Sequence, residues 1–238
     1  MIVADLSVFG DALQFLVDNP GLIVGKALDQ LALAGAALAI ALVIALPLGV
    51  LLGHLHRGSF LAITAANLGR ALPTLAVIAI CLAFLPVGFV PVLIALVVLA
   101  IPPILTNAYV SVDEVEADVV EAARGMGMTE RQLLGRVELP LATPLLFTGI
   151  RTAAVYVIAS ATIAAIAGGG GLGDIIVNQA SYRIAGVIAA SIVVSLLALG
   201  ADALLALVQH GATPPPLRGR RVADTMLVPD AGEADPSL

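Results

Sequence analysis

Five long apolar stretches, 28–53, 60–85, 90–110, 145–167 and 184–208, alternate along this chain with short polar breaks and one extended charged island. A helix needs about 20 predominantly apolar residues to cross a hydrocarbon core, so each stretch predicts a transmembrane helix. The pattern is that of an all-α polytopic membrane protein with five spans.

Each span carries a few polar or helix-bending positions. In the first, Pro47 with Gly49 predicts a kink near the far end. The second holds Asn67, Gly69, Arg70 and Pro73 in its first half. If it enters at Ser59, Arg70 lies roughly 16 Å deep at about 1.5 Å per residue, where an arginine costs about 3 kcal/mol on insertion scales. Two readings stay open: Arg70 faces a wet cavity or a partner, or the span begins near Ala71 and leaves Arg70 at the interface. In the third, Pro102 and Pro103 predict a late break, which suits a cavity-lining or gating segment and equally a plain kink. In the fourth, Thr148, Thr152, Tyr156 and Ser160 recur every four residues as one polar stripe, which faces another helix or an aqueous path. Asn67, Arg70, Thr74, Tyr156 and Ser160 are therefore the candidate pathway positions. In the fifth, Asp202 lies near the inner end, to pair with a cytoplasmic arginine or, on this reading, to reach the headgroups.

The charged island, 113–144, reads DEVEADVVEAARGMGMTERQLLGRVELPLATP and holds Asp113, Glu114, Glu116, Asp118, Glu121, Glu130 and Glu138, with Arg124, Arg131 and Arg136 among them. Lipid cannot host such a stretch. Asp118 and Glu121 have the spacing of a capping box, predicting a helix from about Val119 to Met126 that ends at Gly127 in a left-handed conformation. Thr129 and Gln132 repeat the spacing and start a second helix, which the sequence stops at Pro140. Helix-turn-helix hairpins also bind DNA, but an acid-rich hairpin flanked by membrane on both sides excludes nucleic acid as a partner.

Composition agrees with this picture: 60% of residues are hydrophobic, 12% are charged, and the mean hydropathy is +1.08. The net charge of −6 says little, because the acids concentrate in the ends and the island. A single cysteine, Cys81, excludes an internal disulfide and a thiolate metal site. His54 and His56 would point to different sides of a helix with no other ligand type near, so no metal site is expected. The glycine-rich GGGGLGD at 168–174 lacks the lysine and hydroxyl residue of a phosphate loop. No convergent catalytic set is visible, so neither an enzyme nor a bound cofactor is expected.

At the ends, residues 1–27 lack the basic start of a secretory signal and form an extracytoplasmic arm, broken at Asn19, Pro20 and Gly21, that lies along the membrane surface. Residues 28–210 form the membrane domain. Residues 211–238 are expected to be a disordered cytoplasmic tail. With the amino end outside, Arg57, Arg124, Arg131, Arg136, Arg218, Arg220 and Arg221 fall in the cytoplasm against Lys26 and Arg183 outside, so the cation bias favours N-out, C-in.

Glu121, Ala122, Ala123, then Gly127, then Val137, Glu138, Leu139 and Pro140 resemble the EAA signature of inner-membrane permease subunits of ATP-binding-cassette importers, with Val137 where that family usually has isoleucine. The resemblance implies a type I importer permease fold in the cytoplasmic membrane. It also implies a coupling helix that docks on a separate ATPase subunit, where ATP and Mg are used. Glu121, Ala122, Ala123, Gly127, Val137, Leu139 and Pro140 are the coupling positions it implies, with Ala122, Ala123 and Gly127 offering a small-residue surface to the partner. A second permease subunit, identical or not, and an extracytoplasmic solute-binding protein complete the implied assembly. The short layout, ALPTLAVIAI, EAARGMGMT and GGGGLGDII together look most like permeases for glycine betaine, choline, carnitine or proline. A methionine or other amino-acid importer is the alternative within the family, and a secondary transporter or channel the alternative outside it. With no tryptophan and three tyrosines in the chain, an aromatic cage for a quaternary ammonium group belongs more naturally to the binding protein.

Overall fold

The computed structural model describes residues 7–60, 62, 64, 67 and 74–214. In chain order the helices are α1 (Ser7–Asp18), α2 (Pro20–His54), α3 (Thr74–Phe84), α4 (Phe89–Asp113), α5 (Ala117–Gly125), α6 (Glu130–Leu133), α7 (Leu139–Ser160), α8 (Gly173–Val177) and α9 (Gln179–Ala212). A π-helical turn, Leu134–Glu138, joins α6 to α7, and a 3₁₀ segment, Ala161–Ala167, extends α7. Four helical runs are long and apolar enough to cross a membrane: α2, α4, the continuous run Glu130–Ala167, and α9. The second apolar stretch contributes α3, whose 11 residues are too few to cross alone. Asn67 is helical and exposed; Arg70 lies outside the described residues, as does the tail beyond 214.

Helix α4 is the centre, packed between α2 and α7, with α9 beyond α7 and α3 against α4 and the 3₁₀ segment. Between helices that share a lipid solvent there is little hydrophobic drive, so close van der Waals approach of small residues holds them. Helix α2 supplies that surface as one buried stripe, Ala34, Ala37, Ala41, Ala45, Gly49 and Gly53. Gly49 and Gly53 are a small-x-x-x-small pair on which the α4 backbone rests: a Cβ at Gly49 would stand 2.7 Å from the Leu105 carbonyl oxygen, and one at Gly53 would stand 2.6 Å from that of Tyr109. On the other side of α4, Gly149 of α7 leaves similar room for Pro103 and Asn107.

The expected break at Pro102 and Pro103 is absent, because both prolines lie inside an uninterrupted α4. Pro47 likewise lies within α2. Helix α2 begins at Pro20, ahead of the apolar run, since a proline in the first helical turn has no N–H to leave unpaired. Helix α1, which the sequence reading lays along the membrane surface, packs against α9, with Phe15 edge-on to Tyr182 at 6.3 Å.

Candidate functional site

The charged island folds as a hairpin at one end of the bundle. Helix α5 takes Glu116 as its N-cap with no side-chain bond, so the Asp118–Glu121 capping box that the spacing suggests does not form; the helix starts two residues too early for Asp118 to cap it. At its other end, Gly127 has φ +81° and its N–H bonds the Arg124 carbonyl, while the Met128 N–H reaches the Ala123 carbonyl. This is a complete Schellman closure, and Met128 covers Ala123 as such motifs usually do. The second box does form: the Thr129 N–H donates to Gln132 Oε1 at 2.9 Å and the Gln132 N–H to Thr129 Oγ1 at 3.4 Å.

Val120, Ala123 and Leu133, with Val115, Met128 and Val137, give the hairpin a small apolar core of its own. Ala123, at 2% exposure, is therefore turned inward and is not part of an outward small-residue surface. Glu121, Ala122, Arg124, Gly125, Met126 and Gly127 are exposed, with Met126 at 72% the prominent apolar side chain. Arg124 and Glu130 bridge the two arms at 3.3 Å in the open, a contact worth little on its own.

Pro140 does not stop the second arm. The π turn before it, in which the Leu139 N–H bonds Leu134 O, widens the helix just ahead of the residue that has no N–H to give. Pro140 then occupies the first turn of α7, where it is tolerated, and Leu139 and Pro140 are half-buried. The hairpin is thus continuous with a membrane-length helix instead of hanging from a flexible link.

A tie that local sequence reasoning missed joins the hairpin to α2. Glu138, 1% exposed, meets His54 Nδ1 at 2.6 Å, and His54 Nε2 is 3.4 Å from Glu130. The only signal for this tie in the sequence is the histidine itself, whose partner lies 84 residues away.

The polar stripe of α7 faces away from the bundle. Its buried face is Gly149, Ile150, Ala153, Ala154, Val157 and Ile158, whereas Tyr156 is 52% exposed. Thr148 and Thr152 hydroxyls donate to carbonyls of their own helix at 3.0 and 2.8 Å. Among the described residues the stripe, ending at half-buried Ser160, therefore does not pack on another helix, and Thr74 opens α3 on a separate element. Arg151, one residue off the stripe, forks onto Asp202 with two 2.8 Å bonds and donates to Gln209, which in turn donates to the Pro144 carbonyl. Asp202 thus ties α9 to α7 and does not reach for headgroups.

At the opposite end from the hairpin, Gly168, Gly170 and Gly171 all have positive φ, which lets the chain fold back onto α2. Buried Gln30 holds it there: its amide donates to the Ile158 carbonyl at 2.9 Å and its oxygen accepts from the Leu172 N–H at 3.1 Å. Lys26 pairs with Asp174 at 2.5 Å beside them. The glycines there serve close packing: a Cβ at Gly169 would stand 2.9 Å from the Ala164 Cβ, and one at Gly171 3.3 Å from Gln30 Oε1.

The family model for the binding-protein-dependent transport system inner membrane component matches residues 45–213. The choline transport system permease protein OpuBB of Bacillus subtilis is 36% identical over 202 residues, 84% of this chain and 93% of that protein. The osmoprotectant import permease protein OsmW of Salmonella typhimurium is 33% identical over 214 residues, 87% of this chain and all of that protein. Among solved structures, an inward-facing MetNI methionine ABC transporter superposes with a TM-score of 0.72 at 22% identity, over 82% of this chain and 99% of that chain. With the signature residues gathered on one capped hairpin and relatives matched along nearly their whole length, the chain belongs to the family of binding-protein-dependent transport system inner membrane components.

Proposed function

We propose that this chain is the permease subunit of an ATP-driven importer that moves a small compatible solute of the glycine betaine, choline, carnitine or proline type across the cytoplasmic membrane. Its similarity to permeases named for choline, carnitine and glycine betaine transport carries the solute class. The fold likeness to a methionine transporter carries no solute, because its identity is only 22%. On this reading the second apolar stretch completes a fifth span, with the amino end outside and the carboxyl end inside.

The hairpin then projects into the cytoplasm and docks on a separate ATPase subunit, which binds and hydrolyses ATP with Mg. Exposed Glu121, Ala122, Met126 and Gly127 form the contact; Ala123, Val137, Leu139 and Pro140 keep its shape and join it to α7. The observation that supports coupling is mechanical: a capped hairpin continuous through a π turn with a membrane-length helix transmits displacement without slack. A second permease subunit faces the exposed stripe of α7, so that Tyr156 and Ser160, with Asn67, Arg70 and Thr74 of the second stretch, line a path between the two. Choline permeases of Bacillus subtilis carrying two names, OpuBB and OpuBD, both resemble this chain, which fits a paired arrangement. An extracytoplasmic binding protein delivers the solute to the end that carries the glycine-rich loop.

The test is uptake of labelled choline, glycine betaine, carnitine, proline and methionine in cells lacking their own importers and expressing this chain with its neighbouring ATPase and binding protein. Uptake of a quaternary ammonium solute or proline that stops when the ATPase is inactivated supports the reading. Uptake of methionine alone overturns the solute class, and uptake that persists without the ATPase overturns the importer reading in favour of a secondary transporter.

A further inference from the structure

Beside the glycine-rich loop the chain leaves a cavity of about 370 Å³, lined by Lys26, Ala165, Asp174, Val177, Asn178 and Tyr182. That volume falls within the range of small-molecule pockets, about 300–1,000 Å³. Separate elements meet there: α2 brings Lys26, the 3₁₀ segment Ala165, α8 Asp174 and Val177, and α9 Tyr182. Lys26 Nζ donates to Asp174 Oδ2 at 2.5 Å, yet the two side chains stay 26% and 31% exposed. This bond uses one of the three ammonium donors and one of the two carboxylate oxygens, so donors and an acceptor remain for a bound molecule. Two carboxylates, Asp174 and exposed Asp29, act on the Lys26 ammonium. The balance favours a positively charged head, while the ammonium is left for an anionic tail.

The Tyr182 ring is held in place at some conformational cost. Arg183, the next residue, breaks the helical path of α9 with φ +57° and ψ 178°, a region that residues other than glycine rarely occupy and keep only where their surroundings fix it. Phe15 of α1 stands edge-on to the ring at 6.3 Å. Gly186 makes room for both: an added Cβ there would meet the Tyr182 Cβ at 2.7 Å and Phe15 Cζ at 3.2 Å. The ring so braced forms part of the cavity wall. The face of an aromatic ring attracts a cation within about 6 Å of its centre.

We propose that this cavity is a receiving site for a quaternary-ammonium zwitterion, with the cationic head between the Tyr182 ring and Asp174 and the carboxylate on Lys26. The inference deepens the solute reading above and rests on it. One ring in place of a cage makes the hold weak, which suits a solute that is passed on. A phosphatidylcholine headgroup carries the same ammonium beside an anion, so the test separates lipid from free solute.

Saturation-transfer NMR on the methyl signal of glycine betaine, with the full chain in phosphatidylglycerol nanodiscs, reads the site without receptor or ATPase. A saturable signal is expected, competed strongly by carnitine and weakly by tetramethylammonium or acetate, since each of these ions fills half the site. Asn178→Leu, at an exposed position whose side chain caps nothing, fills the cavity and abolishes the signal. Tyr182→Leu weakens binding about tenfold, the scale of a desolvated cation–π contact, whereas Tyr182→Phe keeps it. No saturable signal, unchanged binding in either leucine variant, or equal losses in Tyr182→Phe and Tyr182→Leu overturns the proposal. A betaine signal that vanishes in phosphatidylcholine nanodiscs gives the cavity to a lipid headgroup and overturns it as well. Cells that import glycine betaine through a chain showing no such binding defeat this site and leave the importer reading standing. Import of methionine alone defeats the solute class and the site with it.

Discussion

Replacing Gly49 or Gly53 by alanine tests whether α2 and α4 are held by backbone approach. A Cβ at Gly49 would meet the Leu105 carbonyl oxygen and the Ala108 Cβ, each at 2.7 Å; one at Gly53 would meet the Tyr109 carbonyl oxygen at 2.6 Å and the Val112 Cβ at 3.0 Å. Comfortable carbon contacts lie at about 3.5–4.0 Å, so the helices must part locally by about 1 Å, a gap that forfeits roughly a quarter to a half of the attraction of each atom pair. Overpacking of this kind costs about 1–3 kcal/mol per site. Alanine also gains about 1 kcal/mol over glycine in helix propensity, and that gain must be separated from the clash. Gly35 and Gly200 provide the control, because an added Cβ at either meets nothing within 4 Å. The difference between Gly49→Ala and Gly35→Ala, both in α2, isolates the clash at about 1–3 kcal/mol. Since Gly49 and Gly53 sit one turn apart and share one displacement, the double variant loses less than the sum of the singles. Denaturation in mixed micelles by increasing dodecyl sulfate, followed by circular dichroism, measures all five variants. If Gly49→Ala and Gly35→Ala agree within about 0.5 kcal/mol, the usual scatter of additivity, backbone approach is not what holds these helices.

Two further outcomes follow from the hairpin and from the α7–α9 tie. At Gly127 the left-handed conformation, not lack of space, is the constraint, since nothing lies within 4 Å of an added Cβ. Gly127→Val is expected to insert normally and lose most uptake, while Gly127→Asn, which tolerates positive φ, retains most of it; equal uptake by the two would remove the conformational argument. Asp202→Asn leaves the Arg151 fork without its charge partner, and thermal unfolding in detergent should fall; exchanging the two charges, Arg151→Asp with Asp202→Arg, should recover part of the loss, as no single substitution would.

What was legible in the sequence is what local physics writes there. Hydropathy marks the four helical runs of membrane length, and Gly127 and the Thr129–Gln132 pair mark the hairpin turn, because chain direction is decided within a few residues. The Asp118–Glu121 spacing misled, since Glu116 already lies at the start of the helix. Pro140 also misled: a proline stops a regular α-helix, and nothing local announces that five residues will adopt π geometry ahead of it. The ties that shape the site lie beyond any periodic pattern. His54 and Glu138 are 84 residues apart, and Gln30 reaches Leu172 across 142. In hindsight the alanine and glycine stripe of α2 was visible as a four-residue repeat, but a hydropathy scan hides it among equally apolar neighbours.

The π turn at Leu134–Glu138 has a geometric corollary. In angular terms it acts as one surplus residue within an otherwise regular helix, and each residue advances the azimuth by about 100°. Deleting a single residue there would rewind the segment to ordinary pitch and swing the whole protrusion around the α7 axis by about that angle, turning the face that carries Glu121, Ala122 and Met126 to a new bearing while the membrane-length helices stayed where they are. The register of one residue is thereby what aims the hairpin.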